Sequence, residues 1–130
     1  MLKAPKLYLW DWSLVEEGGH ALENLVASHL LKAVHFWTDR GLGDYGLFYL
    51  RTKDKVETDF VVVKDGKPWF LVEVKTKAKG LSSALYHFQA ETKAPHALQV
   101  AFDLPFVQRD CFEEKEPIIV PARTFLAQLV

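Results

Sequence analysis

The chain has 130 residues and a formal net charge of -1, with 49% hydrophobic and 25% charged residues. These values predict one folded domain spanning residues 1–130 and exclude a disordered or fibrous chain. No apolar run reaches the roughly 18 residues that a membrane-spanning helix needs, and residues 1–5 lack the apolar stretch of a signal peptide. The single cysteine, Cys111, excludes an internal disulfide and a cysteine-based zinc site. We therefore expect a cytoplasmic protein without membrane contact.

The first third of the chain predicts a strand followed by a long helix. Residues 6–12 alternate in the manner of a short strand. After Gly18 and Gly19, apolar residues recur at steps of three and four, which predicts an amphipathic helix. The run 41–43 (Gly-Leu-Gly) ends this helix, because glycine tolerates the left-handed cap conformation. The predicted buried face consists of Leu22, Leu25, Val26, His29, Leu30, Ala33 and either Phe36 or Trp37.

The remaining two thirds predict strands on either side of a second helix. Strands are expected at 47–51, 56–63 and 69–75, with the pair Asp65-Gly66 in the last turn. A helical pattern begins at Gly80 and is closed by Pro95. Further elements are a strand at 96–102, a short strand at 118–120 and a terminal helix at 122–130. The order α-β-β-β-α-β predicts an α/β fold with a mixed central sheet flanked by helices.

Polar residues inside these apolar strands are the strongest chemical signal in the sequence. Asp59 directly precedes the apolar run 60–63, and Glu73 and Lys75 end another. Aspartate is depleted from strands, and carboxylates are seldom buried without a partner. By strand alternation Glu73 and Lys75 share one face of the sheet. Glu57 shares the face of Asp59, and we interpret it as a residue at the rim.

The length of the hairpin loop decides whether Asp59 and Glu73 face the same side. A three-residue loop, 65–67, places them directly opposite each other, whereas a two-residue loop, 65–66, places them on different sides. The sequence is compatible with both lengths, and Pro68 cannot donate a ladder hydrogen bond. A site formed by both Asp59 and Glu73 therefore requires the three-residue loop.

If the two acids meet, something must compensate their charge. Directly opposed side chains have Cβ atoms about 5 Å apart, and two carboxylates there repel by roughly 3 kcal/mol at an effective dielectric near 20. A bound cation, a neighbouring base or a shared proton would offset this cost. Lys75 is such a base, and oxygen-only ligands suit Mg²⁺ or Mn²⁺.

The pattern D-(13 residues)-E-x-K, formed by Asp59, Glu73 and Lys75, resembles the active-site motif of the PD-(D/E)xK nuclease superfamily. The resemblance implies a restriction-endonuclease-like αβββαβ core and Mg²⁺-dependent hydrolysis of phosphodiester bonds, with DNA as the expected substrate. It implies that Asp59, Glu73 and the backbone carbonyl of Val74 hold the metal. Lys75 would orient the attacking water or stabilise the phosphate charge. A glutamate from the first helix often joins the site in this superfamily, and Glu23 occupies that position.

A second resemblance covers most of the chain. The runs 22–30 (LENLVASHL), 57–60 (ETDF) and 71–75 (LVEVK) are similar to the nuclease-like domain at the C-terminus of many prokaryotic AAA-type ATPases. This resemblance implies an AAA-type ATPase domain or protein as a partner. The chain itself has no G-x-x-x-x-G-K-[ST] phosphate loop, and Thr58 stands where the nuclease superfamily usually has proline.

Three functional hypotheses follow from the sequence. The first is a metal-dependent DNA nuclease. The surplus of eight bases over five acids between Arg51 and Lys79 would contribute phosphate contacts, unless these residues are solvated strand edges. The second is a non-catalytic nuclease-fold module that works with an ATPase, with Trp10, Trp12 and Trp37 forming a docking surface. The third is an assembly domain that forms a homodimer through an edge strand.

Overall fold

The chain forms a mixed sheet with helices on both faces. The computed structural model describes residues 7–11, 21–52, 59–77 and 80–129, and the sheet in these residues has six strands. In chain order the elements are β1 (Leu7–Asp11), α1 (Ala21–Asp39), β2 (Tyr45–Thr52), β3 (Asp59–Lys64), β4 (Lys67–Lys75), α2 (Ser83–Thr92), β5 (His96–Ala101), β6 (Ile118–Pro121) and α3 (Ala122–Ala127). The predicted order is confirmed by α1-β2-β3-β4-α2-β5, and with it the α/β class.

The strands lie in the sheet in the same order as in the chain. Each neighbouring pair from β1 to β4 is antiparallel, whereas β5 is parallel to β4 and β6 is parallel to β5. Parallel neighbours need a crossover connection, and α2 provides the one between β4 and β5. Strands β3 and β4 therefore lie in the interior of the sheet, where alternate residues on both faces are covered.

Two separate hydrophobic cores cover the two faces of the sheet. The first contains α1, α3 and residues such as Phe60, Phe70 and Val72. The second is smaller and contains α2 with Val61 and Leu71. Because successive residues of a strand point to opposite faces, the odd-numbered residues from 71 to 75 of β4 lie on the α2 face.

Helix α1 is rotated relative to the predicted apolar face. Leu25 is 41% exposed and His29 is also exposed, so their predicted burial is wrong. Of the alternatives Phe36 and Trp37, Phe36 is 43% exposed and Trp37 packs against the first core. Ala27 and Val34 are buried instead. The small side chain of Ala27 allows α1 to lie close to the sheet, and this brings the flank that includes Val34 into the core. The buried face consists of Val26, Ala27, Leu30, Ala33 and Val34.

Several predicted boundaries differ from those observed. Helix α3 ends at Ala127, three residues before the predicted end. The first part of the predicted strand 56–63, including Glu57, lies outside the described residues, as does Trp12. None of the helices in the described residues is both long enough and apolar enough to cross a membrane.

The connection between β5 and β6 has no helix. Two side chains, those of Thr124 and Gln128, bind it to α3 by hydrogen bonds. The Thr124 hydroxyl donates to the carbonyl of Val107 over 2.7 Å and accepts from its amide over 2.9 Å. The Gln128 side chain accepts from the amide of Cys111 over 3.0 Å. Cys111 is buried in the first core, and this burial raises the pKa of its thiol, as expected for a packing residue.

The hairpin between β3 and β4 has a two-residue turn. Asp65 and Gly66 both have positive φ angles, 51° and 83°, which is the signature of a type I′ turn. Lys64 and Lys67 are the pair that closes it. The three-residue loop that a shared site required is therefore not present.

A β-bulge at Trp69 places Asp59 opposite Glu73, which the two-residue turn alone would not do. Val63 pairs with Pro68, but Val62 pairs with Phe70, so Trp69 is an extra residue without a partner on β3. Trp69 and Phe70 consequently both contact the first core, as expected when a bulge interrupts strand alternation. From Phe70 onward the ladder is shifted by one residue, and Asp59 pairs directly with Glu73.

Candidate functional site

Glu73 is a carboxylate buried in the middle of the sheet. It is 2% exposed, and it lies on the α2 face in line with the buried Leu71. A carboxylate in such a place loses most of its hydration, which is costly unless a cation or hydrogen-bond donors replace the water. Glu73 is thus the residue around which a charged site would be built.

Lys75 supplies a positive charge to Glu73 and also reaches solvent. Its Nζ atom lies 3.5 Å from Oε2 of Glu73, and its side chain is 34% exposed, compared with 3% for that of Glu73. The two residues share a face, as the sequence predicts. Because the ammonium group of Lys75 lies between the buried Glu73 and solvent, it can contact a bound ligand and Glu73 at the same time.

Asp59 lies directly opposite Glu73 in the antiparallel ladder. The structure describes the backbone of Asp59 but not its side chain. Opposed residues of an antiparallel pair lie on the same face, with Cβ atoms roughly 5 Å apart. The alignment that the sequence left open is therefore confirmed, although a bulge and not a three-residue loop produces it.

Glu23 lies in the first turn of α1, at the opposite end of this helix from Trp37. The end of α1 is anchored beside the start of β4, where the rings of Trp37 and Trp69 are 5.6 Å apart. Glu23 is 14 residues before Trp37, about 21 Å along a helix. Lys75 is six residues after Trp69, about 20 Å along a strand.

The face on which Glu23 lies differs from that of Glu73. Helix α1 packs on the Phe70 face of the sheet, so Glu23 would have to approach around the end of β4. Its participation in the site remains a prediction. The same holds for the backbone carbonyl of Val74, whose side chain packs against the first core.

Gln99 is a further polar residue beside Glu73, and the sequence patterns did not single it out. It is fully buried and pairs with Glu73 in the parallel ladder between β4 and β5. Positions 59, 73 and 99 thus form a row of polar residues across three neighbouring strands. A polar residue in the apolar strand 96–101 is the same signal that identified Glu73, but Gln99 carries no charge.

Gln99 also fixes the loop that follows Lys75. Its Oε1 accepts from the amide of Ser82 over 3.0 Å, and its Nε2 donates to the carbonyl of Gly80 over 3.4 Å. Ser82 is the N-cap of α2, and its hydroxyl accepts from the amide of Leu85. Helix α2 therefore begins beside the polar row, and a helix N-terminus favours anions such as phosphate.

The donor set at this row suits a hard divalent cation. The acids at positions 59 and 73 provide only oxygen ligands, which Mg²⁺ and Mn²⁺ prefer. Among the side chains that the structure describes, no group of three or more His, Cys, Asp or Glu residues is placed to hold a metal. The side chain of Asp59 is not among the described ones, so this finding does not test the predicted ligand pair of Asp59 and Glu73.

Replacing Glu73 by glutamine is expected to raise the free energy of unfolding in EDTA by about 1 kcal/mol. The substitution removes a buried charge opposite a second acid, and Lys75 can be hydrated because a third of its side chain is exposed. Urea unfolding followed by circular dichroism measures the change. The exposed Glu113, changed to glutamine, is the matched control and should have little effect. Destabilisation of the Glu73→Gln variant would instead mean that the pair with Lys75 is structural.

Comparison with known proteins identifies the family of the chain. Residues 18–118 match the family model described as Domain of unknown function (DUF4143). No curated protein and no solved structure gives a significant match. The matched region includes α1, the β3–β4 hairpin and the polar row. The protein therefore belongs to the DUF4143 family, a domain found in AAA-ATPase-associated contexts.

Proposed function

We propose that the protein is a Mg²⁺-dependent nuclease that hydrolyses phosphodiester bonds of DNA. The observation that carries this proposal is the pairing of Asp59 with the buried Glu73, together with Lys75 3.5 Å from the Glu73 carboxylate. Two opposed acids inside a sheet are costly without a cation. The pairing of positions 59 and 73 on one rung, with Lys75 on the face of Glu73, supports this interpretation of the D-x13-E-x-K pattern.

Each residue of the row has a role in this proposal. Asp59, Glu73 and the Val74 carbonyl would hold a divalent ion, either Mg²⁺ or Mn²⁺, with Glu23 assisting from the start of α1. When bound, the ion would supply Lewis acidity and lower the pKa of water at the site. Burial keeps the Glu73 carboxylate oriented, and the strand ladder fixes the separation between positions 59 and 73.

Lys75 would act on the phosphate and the attacking water. Its ammonium group would add positive charge where negative charge develops during hydrolysis. The N-terminus of α2, tied to the row by Gln99, would add a second favourable potential for the phosphate. These contributions come from rigid elements, so they need little rearrangement when the substrate binds.

A cleavage assay tests the proposal. Plasmid DNA and single- and double-stranded oligonucleotides are incubated with Mg²⁺ or Mn²⁺, and the Asp59→Ala variant serves as the blank. We expect cleavage by the unmodified protein, its loss in EDTA and its loss in Asp59→Ala. Asp39→Ala, at the exposed end of α1, is the matched control and should cleave normally. No cleavage above the Asp59→Ala blank with any of these substrates and ions would end the nuclease proposal.

The second candidate is a non-catalytic module that works with an AAA-type ATPase. The family context favours it, as does an exposed apolar site formed by Phe106 and Val107, which are 54% and 44% exposed. Both line a pocket of about 450 Å³ between the β5–β6 connection and α3. Trp37, predicted to form a docking surface, instead packs against Trp69. Calorimetry showing no Mg²⁺ binding, together with binding to a co-expressed ATPase, would favour this candidate over the nuclease.

Two further proposals concern assembly and location. An edge strand, β1 or β6, could pair with a second copy to give a homodimer, and light scattering at two concentrations would detect it. A cytoplasmic location is the second of these proposals, and the single free cysteine, Cys111, is compatible with reducing conditions.

A further inference from the structure

A second basic feature lies at the other end of the β3–β4 hairpin from the polar row. It is a pocket of about 440 Å³ between the hairpin turn and the connection from α2 to β5, called here the lysine pocket. Its walls include Lys64, Lys67, Trp69, Thr92, Lys93 and Pro95. The Lys64–Lys67 rung is five β3 residues from the Asp59–Glu73 rung, about 17 Å along the strand. The pocket is therefore separate from the proposed nuclease site.

Two of its lysines face each other across the ladder. Lys64 and Lys67 are directly paired, and like charges in opposed positions destabilise a sheet. Within the described part of the chain, no carboxylate lies within ion-pair distance of Lys64, Lys67 or Lys93. The residues lining the pocket include no acid. Three lysines thus line the pocket without forming an ion pair to any described residue, and the acid in the adjacent turn, Asp65, instead accepts a hydrogen bond from the amide of Asp44.

Aromatic rings hold Lys64 in place without neutralising it. Its Nζ atom lies 5.6 Å from the ring centre of Tyr45 and 5.7 Å from that of Trp69, which are cation–π distances. Trp69 is itself stacked on Phe112, with ring centres 5.4 Å apart. These contacts orient the ammonium group and leave its N–H groups available to an anion.

Lys93 brings the third charge from the opposite wall of the pocket. It caps the end of α2 in the left-handed conformation, with φ 61°, and its amide donates to the carbonyl of Gln89 over 2.8 Å. Glycine or asparagine is the usual residue at such a position. A lysine there gains from the helix dipole, and its side chain lines the pocket.

We infer that the lysine pocket binds the phosphate of a nucleotide, either free or within a single strand. Lysine ammonium groups bind phosphate as point charges, and the pocket volume lies in the usual range for small ligands. Trp69 and Pro95 give the pocket an apolar wall beside the lysines, which the base of a nucleotide can contact. This inference does not depend on the nuclease proposal.

Nuclear magnetic resonance titration tests the inference. The probes are AMP, a short oligothymidylate and, as a ligand without phosphate, adenosine. The signal followed is the indole N–H of Trp69, assigned with the Trp69→Phe variant. We expect AMP or the oligonucleotide to shift this signal, and the triple variant K64Q/K67Q/K93Q to bind at least about tenfold more weakly. A triple variant at exposed positions outside the pocket, K32Q/K115Q/R123Q, removes the same charge and should bind normally.

The outcomes separate the alternatives. Tighter binding of AMP identifies a free nucleotide, and tighter binding of the oligonucleotide identifies a strand; both support the site. Equal binding of adenosine, equal loss in the two triple variants, or no shift with either phosphate ligand would overturn it. The single variant Lys67→Gln, at an exposed position, gives the same test if the triple variant does not fold. Asp59→Ala should retain binding, so a failed nuclease assay leaves this result unaffected.

Discussion

Replacing Lys75 by methionine is expected to lower the rate of DNA cleavage by about 100-fold, the usual loss when one charge-stabilising group is removed. Methionine keeps an unbranched apolar chain of similar length but removes the ammonium group that lies 3.5 Å from Glu73. Because Lys75 is a third exposed, the change should leave the fold intact. The rate is measured under single-turnover conditions with saturating Mg²⁺, so that the cation and not Lys75 compensates Glu73.

The control for this prediction is Lys77→Met. Lys77 follows two residues later and is exposed, so its variant should cleave at nearly the normal rate. Varying the DNA concentration separates a loss of binding from a loss of rate. If Lys75→Met only weakens DNA binding, or if both variants lose the same activity, Lys75 is a surface contact and not part of the catalytic site.

Replacing Phe70 by alanine is expected to lower the free energy of unfolding by about 3–5 kcal/mol. Phe70 is fully buried, and its ring centre lies 5.0 Å from those of Trp69 and Phe112 and 6.1 Å from that of Phe125. Edge-to-face contacts of this kind add to the loss from burial. The substitution would leave a cavity at the place where β4, α3 and the β5–β6 connection meet.

Urea unfolding followed by circular dichroism measures this effect. The matched control is Tyr86→Ala, because Tyr86 is a large aromatic residue of α2 that is 49% exposed. Its variant should change stability by less than about 0.5 kcal/mol. A loss of under about 1 kcal/mol for Phe70→Ala would show that the first core can close around the gap and that the aromatic cluster does not hold the sheet to α3.

The order of elements could be predicted from sequence because each has a strong local pattern. The β-branched run before Asp65-Gly66 and the glycine and proline residues around α2 mark boundaries that depend on nearby residues alone. The face of α1 that is buried could not be predicted in the same way. Apolar residues such as Leu25 and Phe36 extend the pattern beyond the buried side, and only packing against the sheet selects Ala27 and Val34 instead.

The candidate site was predicted in part for a related reason. Glu73 and Lys75 are charged residues in an apolar strand, so their shared face follows from alternation. Their alignment with Asp59 depends on the bulge at Trp69, and no local propensity indicates where a bulge falls. Gln99 was missed because its role arises from a parallel neighbour 26 residues away in the chain.

The bulge has a consequence for changes in the length of this hairpin. Trp69 has no partner on β3, so a chain without it would pair Val63 with Pro68 and Val62 with Phe70 on successive rungs. Asp59 would still face Glu73. Loss of one residue between Phe70 and Glu73 would instead place the two acids on opposite faces of the sheet. A shift of one residue moves every side chain that follows to the other face. The spacing that must be conserved therefore begins at Phe70 and not at the turn.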